Sequence, residues 1–231
     1  RRVLFRSNKG LWGTSVGGKE TLQSKGLLPE SAWPTPMTQA GQEEEMVIGF
    51  EKGEIVSVNG KNFSHPTEAI AFIQSIAGAY GIGRDIHVGD TIIGIKGRVG
   101  FEAAAPMVIL KAHHALEKHV LTKWQLLWKD QLAQFYGNWL HEGQILDPVM
   151  RDIEAYFTSA QEQVTGTVSI QLLPYRFQII GIESPNDLMS ATFGNYGEIN
   201  KAWTGNDVRG FTKIFGNQVS IFHQILQNKK K

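Results

Sequence analysis

Apolar residues along this chain follow two different spacings, and the spacing predicts where strands and helices lie. Short apolar runs rich in β-branched residues predict a hairpin of strands at residues 46–50 and 54–58, with a Lys-Gly pair at the turn. A second hairpin is predicted from strands at residues 167–173 and 176–182. Strands joined by such short turns run antiparallel, so we expect a mainly antiparallel sheet.

A period of three to four residues predicts helices between and after these strands. Two of them begin at a proline, a residue that is favoured in the first turn of a helix. The second of these helices is expected to carry Met107, Leu110, His114 and Ala115 along one side. The helices are predicted to begin near Pro66, Pro106, Thr122, Asp147 and Asn206.

The stretch 81–102 combines glycines, fixed charges and an apolar centre. Ile92, Ile93 and Ile95 predict a buried strand, because β-branched residues fit a pleated surface. The charges around it indicate either a binding site or a plain core strand with solvated ends. They are Arg84, Asp85, Asp90, Lys96 and Arg98.

Composition narrows the class of protein. The 231 residues are 42% hydrophobic, which is enough for a sizeable core, and the net charge of +1 favours neither nucleic acid nor a membrane surface. No apolar run reaches the roughly 20 residues of a membrane helix. The absence of cysteine excludes disulfides and thiolate catalysis and favours a cytoplasmic location. We therefore predict an α+β fold, with a mainly antiparallel sheet packed with helices and a protruding C-terminal helix.

A glycine-rich stretch, residues 8–21, nearly matches a phosphate-binding loop. Gly13 is followed after four residues by Gly18 and Lys19, but Glu20 stands where a serine or threonine should hold magnesium. A carboxylate there repels phosphate, so we reject a nucleotide loop. Two hydroxyl donors in this stretch remain candidates for binding a small ligand, with a simple turn as the alternative. They are Thr14 and Ser15.

Three histidines and a glutamate on the predicted second helix raise the question of a metal site. His113 and Glu117 are four residues apart and share a helix face. Adjacent histidines such as His113 and His114 point in different directions, and neither His119 nor any other residue is marked as a third ligand. The sequence therefore predicts no metal site.

The predicted third helix carries an aromatic stripe at helical spacing. Such a stripe is more typical of a core or an interface between proteins than of a platform on which bases stack. The stripe consists of Trp124, Leu127, Trp128, Phe135 and Trp139.

Several motifs occur in an order that resembles the argininosuccinate synthase family. They are NKGLWGTSVGGKE, FEKGEIVSVNGK, GIGRDIHVGDTIIGIKGR, KAHHALEKHVLTKWQ and AQEQVTGTVSIQL, followed by the tail FGNYGEINKAWTGNDVRGF. The resemblance covers nearly the whole chain but only the C-terminal part of that enzyme. The family begins with a nucleotide-binding domain that carries a Ser-Gly-Gly loop for ATP, and no such loop occurs in this sequence.

The resemblance implies a two-step ligase reaction in arginine biosynthesis. The ureido oxygen of citrulline attacks the α-phosphate of ATP to give citrullyl-AMP and pyrophosphate, and the amine of aspartate then displaces AMP. Magnesium accompanies the ATP in the intact enzyme. Positioning and stabilisation of phosphoryl charge supply most of the catalysis in such a reaction, so no nucleophilic side chain is needed.

The resemblance also assigns site residues. Ser15 matches a serine that binds citrulline, and Phe101 aligns with a tyrosine whose hydroxyl it lacks. The family usually has a glutamate-asparagine-arginine run before the central strand, and Asp90 is the only carboxylate at the matching positions 89–91, so the resemblance makes it the candidate to receive the citrulline α-amino group. Lys96 and Arg98 match a basic pair that either orients anionic groups or forms internal salt bridges.

The chain divides into four segments on this interpretation. Residues 1–7 lead into no predicted element, and one back-translation of them reads like a sequencing adapter, so we interpret them as a translated artefact of a truncated gene. Residues 8–45 form a ligand loop and linker, residues 46–205 a synthetase domain, and residues 206–231 an oligomerisation helix. This helix is expected to build a homotetramer through residues 208–226.

Two functions fit these segments. The first is part of an argininosuccinate synthase that is inactive alone. The alternative is a non-catalytic module that binds citrulline or oligomerises.

Overall fold

The computed structural model of this chain describes residues 5–91, 93–189 and 202–229. It divides into two compact units, Arg1–Leu188 and Met189–Lys231. The first contains two antiparallel sheets with four helices and the second contains two helices, so the α+β prediction is confirmed. Among the described residues, no helix combines the length and apolarity needed to cross a membrane.

Nine strands lie in the described part of the chain. They are β1 Phe5–Gly10, β2 Gly13–Gly18, β3 Glu44–Glu51, β4 Glu54–Val58, β5 Lys61–Asn62, β6 Arg84–Gly89, β7 Gly97–Glu102, β8 Gly166–Leu173 and β9 Arg176–Glu183. The helices are α1 Pro66–Gly78, α2 Ala104–Val120, α3 Lys123–His141, α4 Pro148–Gln161, α5 Gly205–Phe215 and α6 Asn217–Asn228. Two short 3₁₀ helices lie at Lys19–Leu22 and Glu30–Ala32.

The larger sheet has the strand order β5-β4-β3-β8-β9, and α1 and α2 pack on it. Both predicted hairpins are present, as β3–β4 and β8–β9. At the first turn, Lys52 and Gly53 both have positive φ, which matches the right-handed twist of the flanking strands. The main core lies between this sheet and the two helices. Its fully buried members include Met46, Ile48, Ile73, Ala112, Leu116, Val168 and Ile170.

The smaller sheet has the order β1-β2-β7-β6, and it changes the interpretation of the N-terminal segment. The glycine-rich stretch is a hairpin of β1 and β2 rather than a loop, and β1 begins at Phe5. The expectation that the first seven residues lead into no element is therefore wrong. The predicted linker packs on this sheet, since Leu28 and Ala32 are buried against Val16 and Trp33 packs beside them.

The predicted isoleucine strand is absent from the described part of the stretch. Ile93 and Ile95 lie in the turn between β6 and β7 and are 75% and 67% exposed, while Ile92 lies outside the described residues. Gly94 has φ +83°, and its N–H donates to the carbonyl of Thr91 at 2.9 Å, which closes a turn instead of extending a strand. Apolar composition alone could not distinguish a strand from a turn here, because β6 and β7 on either side pair with each other and leave the isoleucines in the turn between them.

Helix α2 does not bury the side that carries the residues named from the sequence. Met107 and Leu110 are more than half exposed, and His114 is partly exposed, whereas Val108 and Ala112 are completely buried. The small alanines allow α2 to approach the sheet closely, and counting large apolar residues missed that face. In α3 no residue is buried, so the aromatic stripe is not part of the core of the first unit.

The predicted C-terminal helix is two helices, α5 and α6, which meet at Gly216. Each presents exposed apolar side chains, including Phe211 and Phe215 on α5 and Phe222 on α6. Phe193 and Tyr196, which precede these helices in the sequence, lie outside the described residues.

A close backbone contact joins β6 to the start of α2 and yields a test of the fold. At Gly83, φ is +76° and an added Cβ would lie 2.5 Å from the carbonyl carbon of Ala103. Gly143 has the same φ of +76° but nothing within 4 Å of an added Cβ. Gly143→Ala should therefore cost only the strain of positive φ, about 1–2 kcal/mol. Gly83→Ala should lower the free energy of unfolding by about 1–3 kcal/mol more, because the backbone of α2 must move.

Urea unfolding followed by circular dichroism measures both losses on the whole chain. Equal losses in the two variants would show that the contact between Gly83 and Ala103 contributes nothing.

Candidate functional site

The smaller sheet sorts its side chains into an inner and an outer row, because residues directly opposite on neighbouring strands point to the same face. The inner row faces the apolar cluster around Val16, and the outer row faces away from it. The inner row is Lys9, Thr14, Glu102 and Arg84. The outer row is Asn8, Ser15, Phe101 and Asp85.

The inner row is held by the buried carboxylate of Glu102, which is 2% exposed. The Thr35 hydroxyl donates to its Oε1 at 2.5 Å and the Thr35 N–H to its Oε2 at 3.3 Å. Gln74 Nε2 donates to Oε1 at 3.4 Å, and Arg84 Nε lies 3.5 Å from Oε2. Arg84 continues outward to Glu30, with distances of 2.8 and 2.9 Å. These contacts join β6 and β7 to the linker and to α1.

Thr14 lies beside this buried cluster, where the hydroxyl faces inward. It lines a cavity of about 210 Å³ together with Lys9, Thr35, Gln74 and Glu102. Ser15 lies on the opposite face, so these two neighbouring candidates cannot reach the same small ligand.

The outer row brings Ser15 and Phe101 together as direct cross-strand partners. The Phe101 ring lies over Gly13, where an added Cβ would come within 2.5 Å of the ring. Gly13 has φ +146° and no side chain, so it both permits this conformation and leaves room for the ring. A cavity of about 340 Å³ borders Phe101 on this face. It is lined by Trp12, Gly83, Asp85, Ile86, His87, Phe101, Ala103, Pro106 and Met107.

The other predicted site residues lie elsewhere. Asp90 is in the exposed turn after β6 and forms an ion pair with Lys96. Five residues separate Asp90 from the outer row at Asp85, a distance of about 16 Å along an extended chain. Arg98 donates to the carbonyl oxygens of Glu20 at 2.9 Å and Gln23 at 2.8 Å. In this structure both basic residues of the predicted pair therefore engage internal partners.

The histidine-rich part of α2 forms a cluster around the fully buried carboxylate of Glu117. Lys129 Nζ lies 2.6 Å from Oε2, and Gln161 Nε2 donates to Oε1 at 2.8 Å. The Nδ1 atoms of His113 and His114 lie 3.6 and 3.4 Å from the carboxylate, so both histidines reach it despite being adjacent. The cluster joins α2, α3 and α4. Breaking such a buried pair typically costs about 3–5 kcal/mol.

His119, the remaining residue considered above as a metal ligand, lies apart from this cluster. Its Nε2 is 2.9 Å from Asp187. Across residues 5–91, 93–189 and 202–229, no group of three histidine or carboxylate side chains is arranged to hold a metal ion. We therefore assign no described residue to the magnesium that the resemblance implies.

Sequence reasoning gave no role to Glu102, named Asp85 only among the charges of its stretch, and missed the pairing of Glu117 with Lys129. For the first two, the missing signal was strand register. Once β2, β7 and β6 are aligned, alternation places Glu102 inward and Asp85 on the row of Ser15 and Phe101. For Glu117 the partner lies on another helix, so no local pattern marks it.

Burial gives His113 a lowered pKa, although the charge of Glu117 opposes the shift. Burial also acts to lower the pKa of Lys129, but its hydrogen bond and attraction to Glu117 raise that pKa overall. Because folding lowers the pKa of His113, the unfolded chain binds a proton on this histidine at a higher pH than the folded chain does. This contribution of His113 to stability is present above about pH 6.5 and is lost as the pH falls below it.

We predict that His113→Gln will weaken the decline of unfolding free energy between about pH 7 and pH 5. The measurement is a series of urea unfolding curves across this range. Because the substitution also removes the contact of the ring with Phe50 at 5.4 Å, the slope with pH is compared rather than the absolute stability. His141→Gln, at an exposed histidine of α3, controls for the loss of a histidine as such. An unchanged slope in His113→Gln would contradict the prediction.

Comparison with known proteins places the chain in a family. The family model described as arginosuccinate synthase C-terminal domain matches residues 8–222. The argininosuccinate synthase of Methanocaldococcus jannaschii is 32% identical over 229 residues, covering 98% of this chain and 57% of the relative. Those of Xanthomonas campestris and Dictyoglomus thermophilum are each 34% identical, covering 97% and 96% of this chain and 56% and 55% of the relatives. The chain thus spans a little over half the length of the curated relatives it matches, and it belongs to the argininosuccinate synthase family.

Proposed function

We propose that this chain supplies the citrulline-binding sheet of an ATP-dependent ligase that condenses citrulline and aspartate to argininosuccinate. The names of the relatives support a ligase of arginine biosynthesis. The observation that carries the proposal to a site is the pairing of Ser15 with Phe101 on the outer row of the smaller sheet. A hydroxyl beside an aromatic wall suits a substrate with a polar end and a chain of methylene groups.

The proposed reaction has two bond exchanges. The ureido oxygen of citrulline forms a bond to the α-phosphorus of ATP while the bond to pyrophosphate breaks, which gives citrullyl-AMP. The aspartate amine then bonds to the ureido carbon, AMP leaves with the bonding electrons, and the amine loses a proton. The role of this chain is to hold citrulline in place, which lowers the barrier by orientation. The Ser15 hydroxyl hydrogen-bonds citrulline and Phe101 packs against its methylene groups.

We further propose that α5 and α6 mediate self-association, with a homotetramer as the expected assembly. Their exposed apolar residues recur at helical spacing on both helices. A large exposed apolar face of this kind is typical of an interface between proteins. The same observation favours the alternative function, a non-catalytic module that binds citrulline or oligomerises. The two functions are distinguished by combining this chain with the nucleotide-binding domain of a relative. Ligase activity of the combination would support the first function, and no activity would support the alternative.

Ser15→Ala is predicted to weaken citrulline binding by about 2- to 10-fold, because one neutral hydrogen bond is lost. Isothermal titration calorimetry of the 231-residue chain with L-citrulline measures this change. Ser75→Ala is the matched control, since the Ser75 hydroxyl on α1 donates to the Phe72 carbonyl at 2.7 Å and is exposed. Equal affinities for Ser15→Ala and the unchanged chain would remove Ser15 from the site. The absence of any citrulline binding by the unchanged chain would overturn the proposed function of the sheet.

Phe222→Asp is predicted to yield a species of lower mass than the unchanged chain in multi-angle light scattering. A charge at Phe222, which is 59% exposed, would have to be buried if this face of α6 forms an interface. Gln224→Asp adds the same charge on the opposite side of α6 by helical phase and should leave the mass unchanged. An identical mass for both variants would exclude this face of α6 from the interface.

A further inference from the structure

The segment that leads from β9 into the C-terminal unit is held to the first unit by polar contacts. The first unit ends at Leu188 and the second begins at Met189. Leu188 is 61% exposed and Met189 is 76% exposed, so burial of these apolar side chains contributes little to holding the segment. Residues 184–188, which we call the strap, instead form hydrogen bonds and an ion pair with two parts of the first unit.

The start of the strap is bound to the connection between α4 and β8. The Ser184 hydroxyl donates to the carbonyl oxygen of Thr165 at 2.6 Å and accepts from the N–H of Asn186 at 3.1 Å. Asn186 Nδ2 donates to the carbonyl oxygen of Gln163 at 2.8 Å. Both acceptors on the connection are backbone oxygens just before β8, so the first half of the strap follows the position of that strand.

The end of the strap is bound to the last turn of α2 through His119. The Nε2 atom of His119 lies 2.9 Å from Asp187 Oδ1, and the Leu188 N–H donates to the His119 carbonyl oxygen at 3.2 Å. His119 therefore binds the strap with both its side chain and its backbone. The imidazole is 12% exposed and the carboxylate 33%, so solvent screens this contact less than it screens an ion pair on the open surface.

The end of α2 is a firm anchor for this contact. Val120 and Leu121, which follow His119, are 6% and 4% exposed and belong to the main core. The Leu121 N–H donates to the carbonyl oxygen of Glu117 at 2.8 Å and closes the last turn of the helix. Because close packing in a core holds the backbone in place, the core and not the strap sets the position of His119.

We propose that His119 and Asp187 form a latch that fixes the point at which the chain leaves the first unit, and that this latch strengthens self-association through α5 and α6. The second part rests on the proposed function, since α5 and α6 follow the strap in the chain. A closed assembly repeats one geometry in every copy. A fixed exit point reduces the conformational freedom that α5 and α6 lose when copies associate.

Hydrogen–deuterium exchange of the 231-residue chain tests the latch independently of assembly. Exchange at the Leu188 amide requires the strap to open, because this N–H is bound to His119. His119→Ala and Asp187→Ala should each lower the protection of peptides that contain Leu188 by about 3- to 10-fold, as expected for a partly buried charged contact. Protection is measured relative to an unstructured peptide of the same sequence, since a substitution next to an amide changes its intrinsic exchange rate.

The double variant separates the latch from the other contacts of Asp187, which has an interaction in addition to the one with His119. If the two side chains act through each other, the combined substitution should lower protection no further than Asp187→Ala does, whereas independent effects would multiply. Asp152→Ala, at an exposed carboxylate of α4, is the matched control and should leave the protection unchanged. Full protection in the single variants, or effects that multiply in the double variant, would overturn the latch.

Multi-angle light scattering over a dilution series tests the consequence for assembly. Both single latch variants should dissociate at a protein concentration about 3- to 10-fold higher than the unchanged chain does, whereas Asp152→Ala should not. Lower protection at Leu188 with unchanged dissociation would overturn the role of the latch in assembly. Absence of self-association in the unchanged chain would overturn the proposed function of α5 and α6 together with that role, and the exchange experiment alone would then decide whether the latch exists.

Discussion

The buried carboxylate of Glu102 is the interaction on which the smaller sheet depends. It receives donors from the linker and from α1 and lies against Arg84 of the neighbouring strand. A slip of one residue in β7 would turn this carboxylate outward and would turn Phe101 inward. A charge that is 2% exposed is stable only with its partners in place, so the contact fixes the register. The composition of the outer row follows from that register.

A second buried carboxylate has the same role in the helical part of the first unit. Glu117 holds Lys129 of α3 and Gln161 of α4 against α2, although α3 has no buried residue of its own. The attachment of α3 therefore relies on polar contacts as well as on packing, and its aromatic stripe stays accessible. Hydrogen bonds to a charged group contribute about 1.5–3 kcal/mol each, so a few of them can hold a helix whose apolar side faces outward.

Local patterns predicted the elements that depend on local chemistry. The hairpin of β3 and β4 follows from its turn residues, α1 from the proline at its start, and α4 from the Asp147 side chain that accepts from the N–H of Val149 at 3.0 Å. The isoleucine turn failed because an apolar run does not reveal which residues find a strand partner. The C-terminal helix was predicted as one because the apolar spacing continues across Gly216, the residue that separates α5 from α6.

The candidate site was predictable only in part, for a related reason. Ser15 and Phe101 were found through the resemblance, which compares positions one at a time. The faces on which Asp85 and Glu102 lie depend on how β6 and β7 pair with β2. Those two strands lie about 70–90 residues after β2 in the chain. Register is a property of the folded sheet, so a single sequence does not reveal which charged side chain lies on the outer row.

The contact between Gly13 and Phe101 limits which amino-acid substitutions this sheet can accept during evolution. Because the ring occupies the volume that a side chain at position 13 would need, the two positions do not vary independently. A larger residue at position 13 must displace the ring of Phe101 unless position 101 has already become smaller, and the positive φ adds strain in either order. The order of substitutions at the two positions is therefore constrained. The aromatic wall of the cavity persists as long as position 13 is glycine and the ring lies over it.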